Sequence, residues 1–198
     1  MKKIFTAISL LFIMKSAAFA QTDEKAYHKK NSTIATGYGI GNVWKRLFNF
    51  YAPISGSDYK IGLTGPFALV YEYGFTNRIS GGVALGYSKI NAVFTYQNSK
   101  NIEKFTNFSA LVRGNYHFFT SAKWDPYAGV GIGYFKFNYT SRDASGSSNP
   151  GTGVKVPGLL GFSGQLGTKY YFTPHFAAFA ETGFVADSFV QLGINYKF

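Results

Sequence analysis

The sequence of 198 residues has 20 Lys and Arg against 9 Asp and Glu, a formal net charge of +11, and no cysteine. The lack of cysteine excludes disulfides, thiolate catalysis and cysteine-ligated metals within this sequence. Its 15 tyrosines, 21 phenylalanines and 23 glycines, with 15% charged residues, are typical of a transmembrane β-barrel, although a secreted β-sandwich has similar averages.

The first predicted element is a secretory signal peptide over residues 1–20. Two lysines precede an apolar stretch, and an Ala-Phe-Ala tripeptide ends it, so we expect cleavage between Ala20 and Gln21. Cleavage removes three lysines and no acid, which lowers the formal net charge from +11 to +8. A basic exported chain favours anionic lipid as its partner and makes nucleic acid an unexpected one. Residues 21–30 are predicted to be a short N-terminal periplasmic segment.

Downstream, bulky apolar residues recur at every second position, with glycine or polar residues between them. In the last segment Val190, Leu192 and Ile194 alternate with Gln191 and Gly193. Alternate side chains of a strand point to opposite faces, so each segment has one apolar face. The predicted strands are 34–41, 61–73, 79–87, 108–118, 127–139, 160–170, 176–184 and 188–198.

These segments predict an all-β fold, an eight-stranded antiparallel up-and-down transmembrane β-barrel over residues 31–198. Strands of about ten residues in even number are what bacterial outer-membrane barrels use. The predicted connections alternate between short turns and longer loops near 43–60, 95–104 and 140–157. We assign the short turns to the periplasmic rim and the long loops to the extracellular rim.

The stretch YAGVGIGYF, Tyr127–Phe135, has glycine at alternate positions, whereas a dinucleotide-binding loop needs G-x-G-x-x-G followed by a helix. We therefore expect a strand whose glycines face a narrow lumen. Phe135 and Phe137 then fall on the inward side. A β-bulge near Gly133 or emergence of the strand above the bilayer would each explain this.

Several charged residues are predicted to face the lumen. Because an unpaired charge in a narrow lumen is costly, opposite charges should pair there. Arg113 and Glu181 should lie at similar height, with Glu72 and Lys169 nearer the periplasmic turns. The predicted network is a structural plug, with a gate for small solutes as the alternative, and comprises Glu72, Arg113, His117, Lys136, Lys169 and Glu181.

The first long loop is rich in aromatic and basic residues. Such residues at a membrane rim form an interfacial girdle that also meets lipid phosphates, and an adhesive patch is the alternative. The predicted extracellular lipid or surface contacts are Trp44, Lys45, Arg46, Phe48, Phe50 and Tyr51.

Three histidines, His28, His117 and His175, are the candidates for a catalytic base. None is followed by Ser two residues on, the arrangement of outer-membrane lipid deacylases, and none joins acids at metal-ligand spacing. We therefore expect no catalytic residue, no metal site and no cofactor.

The signal peptide, GPFALVYEYGF with its turn TNR, WDPYAGVGIGYF and the terminal INYKF resemble small outer-membrane barrels of the OmpX, OmpA-transmembrane-domain and OmpW types. The resemblance implies location in the cell outer membrane as a monomer, with lipid and lipopolysaccharide as partners. It also implies that Tyr196 and Phe198 are the signal for the barrel assembly machinery. The expected function is a non-enzymatic structural or surface role. The alternatives are an OmpW-like conduit for small apolar compounds and a lipid-modifying enzyme.

Overall fold

A computed structural model describes residues 25–42, 45–46, 49–50, 57–96, 99–119, 121–143, 158–185 and 188–198. The predicted signal peptide, with Ala20 and Gln21, lies outside these residues. Eight strands pair antiparallel in sequence order, and β8 pairs with β1 to close the barrel. The predicted all-β, up-and-down barrel is thus confirmed. The strands are β1 Ser32–Asn42, β2 Ser57–Gly74, β3 Ile79–Tyr96, β4 Ser99–His117, β5 Trp124–Asp143, β6 Leu159–Tyr171, β7 Phe176–Val185 and β8 Ser188–Lys197.

Three short turns share one end of the barrel, here called the turn rim, and they use the same local chemistry. In each turn a hydroxyl oxygen accepts hydrogen bonds from backbone N–H groups two and three residues later. These oxygens belong to Thr76, Ser121 and Thr173, and the longer-range bond measures 2.9 Å in all three. Ser and Thr favour such turns because the side chain replaces a backbone partner. The opposite end is called the loop rim.

The strands differ in length more than the sequence predicted. β2 to β5 have 18 to 20 residues, whereas β1, β7 and β8 have 10 or 11. The predicted long loop over 95–104 is wrong, because β3 and β4 remain paired as far as Tyr96 and Ser99. β5 likewise continues to Asp143. β2 to β5 therefore extend further toward the loop rim than β1, β7 and β8.

An irregularity in β2 reverses the faces of that strand. The register with β3 shifts between Thr64 and Phe67, where Gly65 has a φ of +80°, a conformation that glycine adopts without strain. Phe67 below the shift is 48% exposed on the outer face. Above it, Leu63 is paired with the buried Ile90, so it shares the lumen face with Ile90. The alternation over 61–73 predicts Leu63 on the same lipid face as Phe67 and Leu69, and for Leu63 this prediction is wrong.

The glycine run of β5 lies flat in the sheet, and the two phenylalanines after it point inward. The register of β5 with β4 is unbroken, so no bulge near Gly133 is present. Phe135 and Phe137 are buried, with their ring centroids 6.2 Å apart. They join an apolar layer of the lumen, hereafter the apolar layer, made with Ala35, Val70, Ala84, Leu111 and Phe179.

Glycines make room for the aromatic rings of the lumen. A Cβ atom added to Gly37 would lie 2.8 Å from the Cζ atom of Phe179, and one added to Gly193 would lie 2.5 Å from Cε1 of the same ring. Such distances are too short for real contacts, so the ring occupies space that larger residues would fill. The opposite, outward face of the strands is apolar and exposed, as in Val83, Val112 and Leu192. Among the described residues, no helix is long and apolar enough to cross a membrane.

Candidate functional site: the polar lumen

The middle of the lumen holds an ion pair between β4 and β7. Arg113 donates from Nη2 to Oε2 of Glu181 at 2.5 Å, and both side chains are almost fully buried. The phenol of Tyr127, on β5, donates to the same oxygen at 2.8 Å. Because a buried carboxylate needs several donors to replace water, these three side chains form one unit.

A second ion pair lies beside the first. Nζ of Lys169, on β6, is 2.8 Å from Oε1 of Glu72, on β2, and Nδ2 of Asn115 donates to Oε2 of Glu72 at 2.5 Å. Nη2 of Arg113 contacts Oδ1 of Asn115 at 3.5 Å, which links the two pairs. The structure therefore brings Arg113 to Glu181 and Lys169 to Glu72, the pairings expected from their positions along the strands.

His117, at the turn-rim end of β4, is fully buried, and two of the groups around it, Ser80 and Asp125, were not predicted from the sequence. Its Nδ1 is 2.6 Å from Oδ1 of Asp125, and its Nε2 is 3.0 Å from Oγ of Ser80 and 3.7 Å from Oε1 of Glu72. Ser80 has lumen parity in β3. Asp125 was missed because it lies at the start of β5, next to a turn where alternation gives a weak signal.

Ser80, His117 and Asp125 have the connectivity of a serine–histidine–acid triad, but their setting is unfavourable for catalysis. A nucleophile must meet its substrate, whereas Ser80 is 1% exposed and His117 and Asp125 are 0% exposed. The ring of Tyr27 stacks on the imidazole with centroids 3.5 Å apart and planes 5° apart. Within the described ranges, no group of three or more His, Asp and Glu is arranged to hold a metal ion.

The N-terminal segment, residues 25–31, closes the turn rim. The Tyr27 phenol contacts the carbonyl oxygens of Thr76 and Ile79 at 2.9 and 2.8 Å, and Ala26 donates its N–H to Ser121 O at 2.8 Å. Burial, reinforced by the negative charges of carboxylates in the lumen, raises the pKa of Tyr27 above the usual range of a phenol. Residues 25–30 of the predicted periplasmic segment thus pack into the barrel end.

Little space remains among these side chains. The cavity lined by Glu72, Arg113, Tyr127, Lys169 and Glu181 has a volume of about 10 Å³. That is close to the minimum that one water molecule needs. Ala35, Val70 and Phe179 of the apolar layer line the same cavity, and Phe135 and Phe137 lie nearer the loop rim on β5. An open, water-filled channel is therefore absent from the described part of the lumen.

Lys136 does not belong to the network, contrary to the prediction. It is exposed and lies on the outer face of β5, because its neighbours Phe135 and Phe137 occupy the lumen face. The strand has left the apolar band at this height, so water or lipid headgroups solvate the ammonium group, whereas the lumen there is apolar.

The predicted contacts of the first long loop are described in part. Trp44, Phe48 and Tyr51 lie outside the described residues. Arg46 is exposed, with its guanidinium 5.5 Å from the centroid of the Phe189 ring on β8, and Phe50 is 74% exposed. Lys45 is half-buried and donates its backbone N–H to Oδ1 of Asn42 at 2.8 Å.

The predicted assembly signal lies at the turn rim. The rings of Tyr196 and Phe198 meet edge to face, with centroids 5.1 Å apart. Phe198 is 66% exposed, and its backbone N–H donates to Ser32 O at 2.9 Å. The terminal aromatic side chain is therefore presented on the outer surface while its backbone is held by β1.

Comparison with known proteins gives one family and several structures. The model of the OmpW family matches residues 52–181, about two thirds of the chain. No curated protein sequence matches the chain. Similar solved structures include Ail, the attachment invasion locus protein of Yersinia pestis, at 15% identity and a TM-score of 0.44, covering 86% of this chain and 99% of Ail. Ail in complex with the heparin analogue sucrose octasulfate has 17% identity and a TM-score of 0.46, covering 86% of this chain and 99% of Ail. The outer membrane protein OprG of Pseudomonas aeruginosa gives 13% identity and a TM-score of 0.49, covering 87% of this chain and 97% of OprG.

Proposed function

The chain belongs to the OmpW family, and from that premise we propose that it is a non-enzymatic, sealed barrel with a structural or surface role among outer-membrane lipids. Its location is the outer membrane. The single observation that carries the proposal is the small free volume of the lumen. Two ion pairs and His117 leave a cavity of about 10 Å³ there. A barrel with so little free interior acts through its outer surface and its loops.

Planar-bilayer conductance tests the sealed lumen. We expect purified wild-type protein to give no stable conductance steps above those of the detergent alone. The control variant carries Arg113→Ala, Phe179→Ala and Glu181→Ala, which removes one ion pair and a ring that lines the same cavity and should give measurable steps. Steady conductance of folded wild-type protein would refute a sealed barrel.

A conduit for small apolar compounds is the second candidate, and the apolar layer favours it. A compound that enters from the loop rim meets Phe137 and Phe135 first, and the ion pairs of Arg113 and Lys169, on the turn-rim side of these rings, block its passage. β7, β8 and β1 are shorter than β2 to β5, so a sideways exit into the membrane is the remaining route.

Uptake of an apolar fluorescent solute by proteoliposomes separates the two candidates. The sealed barrel predicts uptake equal to that of protein-free vesicles. A conduit predicts faster uptake that the Phe137→Arg substitution abolishes, because a charge would occupy the apolar layer. Phe162→Tyr, on the outer face, is the matched control and should leave uptake unchanged.

A lipid-modifying enzyme is the third candidate, and the buried Ser80 disfavours it. A fluorophosphonate probe, which forms a covalent bond with activated serines, should leave the wild-type protein unlabelled. Labelling that disappears in Ser80→Ala and His117→Gln, together with modification of purified lipopolysaccharide, would overturn the non-enzymatic assignment.

The remaining features of the proposal concern assembly. We propose that the mature protein begins at Gln21, is a monomer, and uses Tyr196 and Phe198 as its signal to the barrel assembly machinery. The exposed terminal ring supports the last point. Mass spectrometry of the protein from the outer-membrane fraction gives the mature N-terminus and the oligomeric state. Deletion of Phe198 should reduce its abundance there, with Phe198→Tyr as the aromatic control.

A further inference from the structure

Aromatic residues on the outer face mark the end of the apolar band toward the loop rim. Phe67, Tyr87 and Phe108 are direct partners across β2, β3 and β4, and each is more than 40% exposed. Such a row is the interfacial girdle of a membrane barrel, where headgroups replace hydrocarbon. The outward side chains beyond this row therefore lie at the level of lipid headgroups or above it.

Basic residues follow immediately on the outer face of β3, β4 and β5. Lys136 is the partner of Phe108 in the girdle row, and Lys89 lies two residues beyond Tyr87. On β4, Lys89 pairs with Thr106, and Lys104 lies two residues from Thr106 toward the loop rim. On β5, Lys104 pairs with Thr140, and Arg142 lies two residues from Thr140 toward the loop rim.

Diagonal neighbours of this kind are about 7–8 Å apart on a sheet. Lys89, Lys104 and Arg142 thus form a diagonal line that we call the basic stripe, with Lys136 at its membrane end. Long cationic side chains at this spacing can converge on one phosphate group. Thr106 and Thr140, between them on the same face, supply hydroxyl donors.

The protein itself does not neutralise this stripe within the described residues. The carboxylates whose side chains are described, Glu72, Glu103, Asp125 and Glu181, belong to lumen positions of their strands. The salt bridges among described residues lie in the lumen as well. The charge of the stripe is therefore available to an anion from outside the chain.

We infer that the basic stripe binds the phosphate groups of a phosphorylated glycolipid of the outer leaflet, namely the lipid A part of lipopolysaccharide. The inference rests on the proposed surface role and assigns it a site and a partner. The contiguity with the girdle decides between a lipid and a soluble anion, because acyl chains would lie against Tyr87 and Phe108 while the phosphates meet Lys89 and Lys104. A soluble polyanion would have no use for the aromatic row.

A lipid titration tests the site. Folded protein in dodecyl maltoside micelles is titrated with bisphosphorylated lipid A, and native mass spectrometry counts the bound lipid. The stripe variant carries Lys89→Gln, Lys104→Gln and Arg142→Gln. A surface cation contributes about fivefold in affinity for an anionic lipid surface, so we expect a loss of at least tenfold for the three changes.

The matched control removes the same charges at the turn rim. Lys29→Gln, Arg78→Gln and Lys123→Gln also replace two lysines and one arginine at exposed positions, and we expect wild-type affinity from this variant. Dephosphorylated lipid A should bind the wild type and the stripe variant equally. Inorganic phosphate at millimolar concentration should displace little lipid, since it lacks the acyl chains.

Three results would overturn the inference: equal losses in both variants, equal binding of phosphorylated and dephosphorylated lipid A, or equally tight binding of phosphatidylglycerol to the stripe. If the lipid inference is refuted, the proposal of a sealed barrel still stands, because conductance and solute uptake do not depend on the stripe. Conversely, a conducting wild-type protein would refute the sealed barrel and leave the lipid titration valid.

Discussion

Replacing either Arg113 or Glu181 alone should destabilise the barrel strongly. Replacing both charged groups together should destabilise it less than either single substitution. Arg113→Met leaves the Glu181 carboxylate in the lumen with Tyr127 as its remaining hydrogen-bond donor. Glu181→Gln leaves the Arg113 guanidinium without a counter-charge at 2.5 Å. In both single variants a charge stays buried without its partner.

The magnitude follows from the burial of both groups. Side-chain exposures of 4% and 2% place the pair almost wholly out of solvent, and removal of one partner from such a pair costs about 3–5 kcal/mol. The double variant Arg113→Met/Glu181→Gln contains neither charge, and it leaves Lys169 paired with Glu72. We therefore expect the double variant to be more stable than either single variant, with a coupling energy of at least about 2 kcal/mol.

Urea unfolding in detergent micelles, followed by tryptophan fluorescence, measures these free energies. Lys136→Met is the control, because it removes an exposed cation from the outer face and should change stability by less than about 0.5 kcal/mol. Unchanged m-values would show that the same unfolding transition is compared. Additive losses in the double variant, or single losses below about 1 kcal/mol, would show that the pair is solvated and that the lumen is wetter than described.

Three further predictions use other parts of the barrel. Leu192→Arg, on the lipid face, should cost about 2–4 kcal/mol, whereas Thr106→Arg, beyond the girdle, should cost at most about 1 kcal/mol in the same assay; equal costs would mean that the girdle is misplaced. Gly37→Val should cost about 1–3 kcal/mol, because a Cβ atom at Gly37 lies 2.8 Å from the Phe179 ring and 3.2 Å from the nearest backbone atom, and Phe179→Ala in the same chain should recover part of that loss. Above pH about 10 a free phenol ionises, while docked Tyr27, whose pKa is raised, keeps its proton, so undocking is favoured as the pH rises. Limited proteolysis of residues 25–31 should accelerate there and should lose this pH dependence in Tyr27→Phe.

The period of two in the sequence was sufficient to predict the barrel and most of its faces. Alternation follows from strand geometry, so Leu192 and Gln191 had to lie on opposite sides of β8 once the strand was recognised. The same reasoning placed Arg113 and Glu181 in one lumen. It could not place Leu63, because the register shift after Thr64 exchanges the two faces of β2 and leaves no mark in the hydrophobic pattern itself.

The site was harder to predict than the fold because its partners come from strands far apart in sequence. Asp125 contacts His117 across one turn, yet Tyr27 reaches the same imidazole from the N-terminal segment, a contact that no periodicity encodes. Lys136 was misassigned for a different reason. Phe135 and Phe137 fell on the inward side of the predicted strand, and Lys136 could face the lumen as well only with a bulge near Gly133. The register of β5 has no bulge, and the upper lumen is itself apolar and accommodates both rings, so the lysine faces outward.

The distribution of charge explains how a basic protein can have a neutral interior. Among described residues the buried charged side chains, His117 apart, are three cations and three carboxylates: Arg113, Lys169, Lys197, Glu72, Asp125 and Glu181. Since these charges cancel, the positive surplus of the described chain lies on its surface, where the basic stripe is part of it. Substitutions that neutralise the lumen pair leave the stripe unchanged, and substitutions in the stripe leave the lumen unchanged. Measurements of stability and conductance therefore test the interior, whereas lipid affinity tests the exterior. The hypothesis about the lumen and the hypothesis about the stripe can each be refuted without the other.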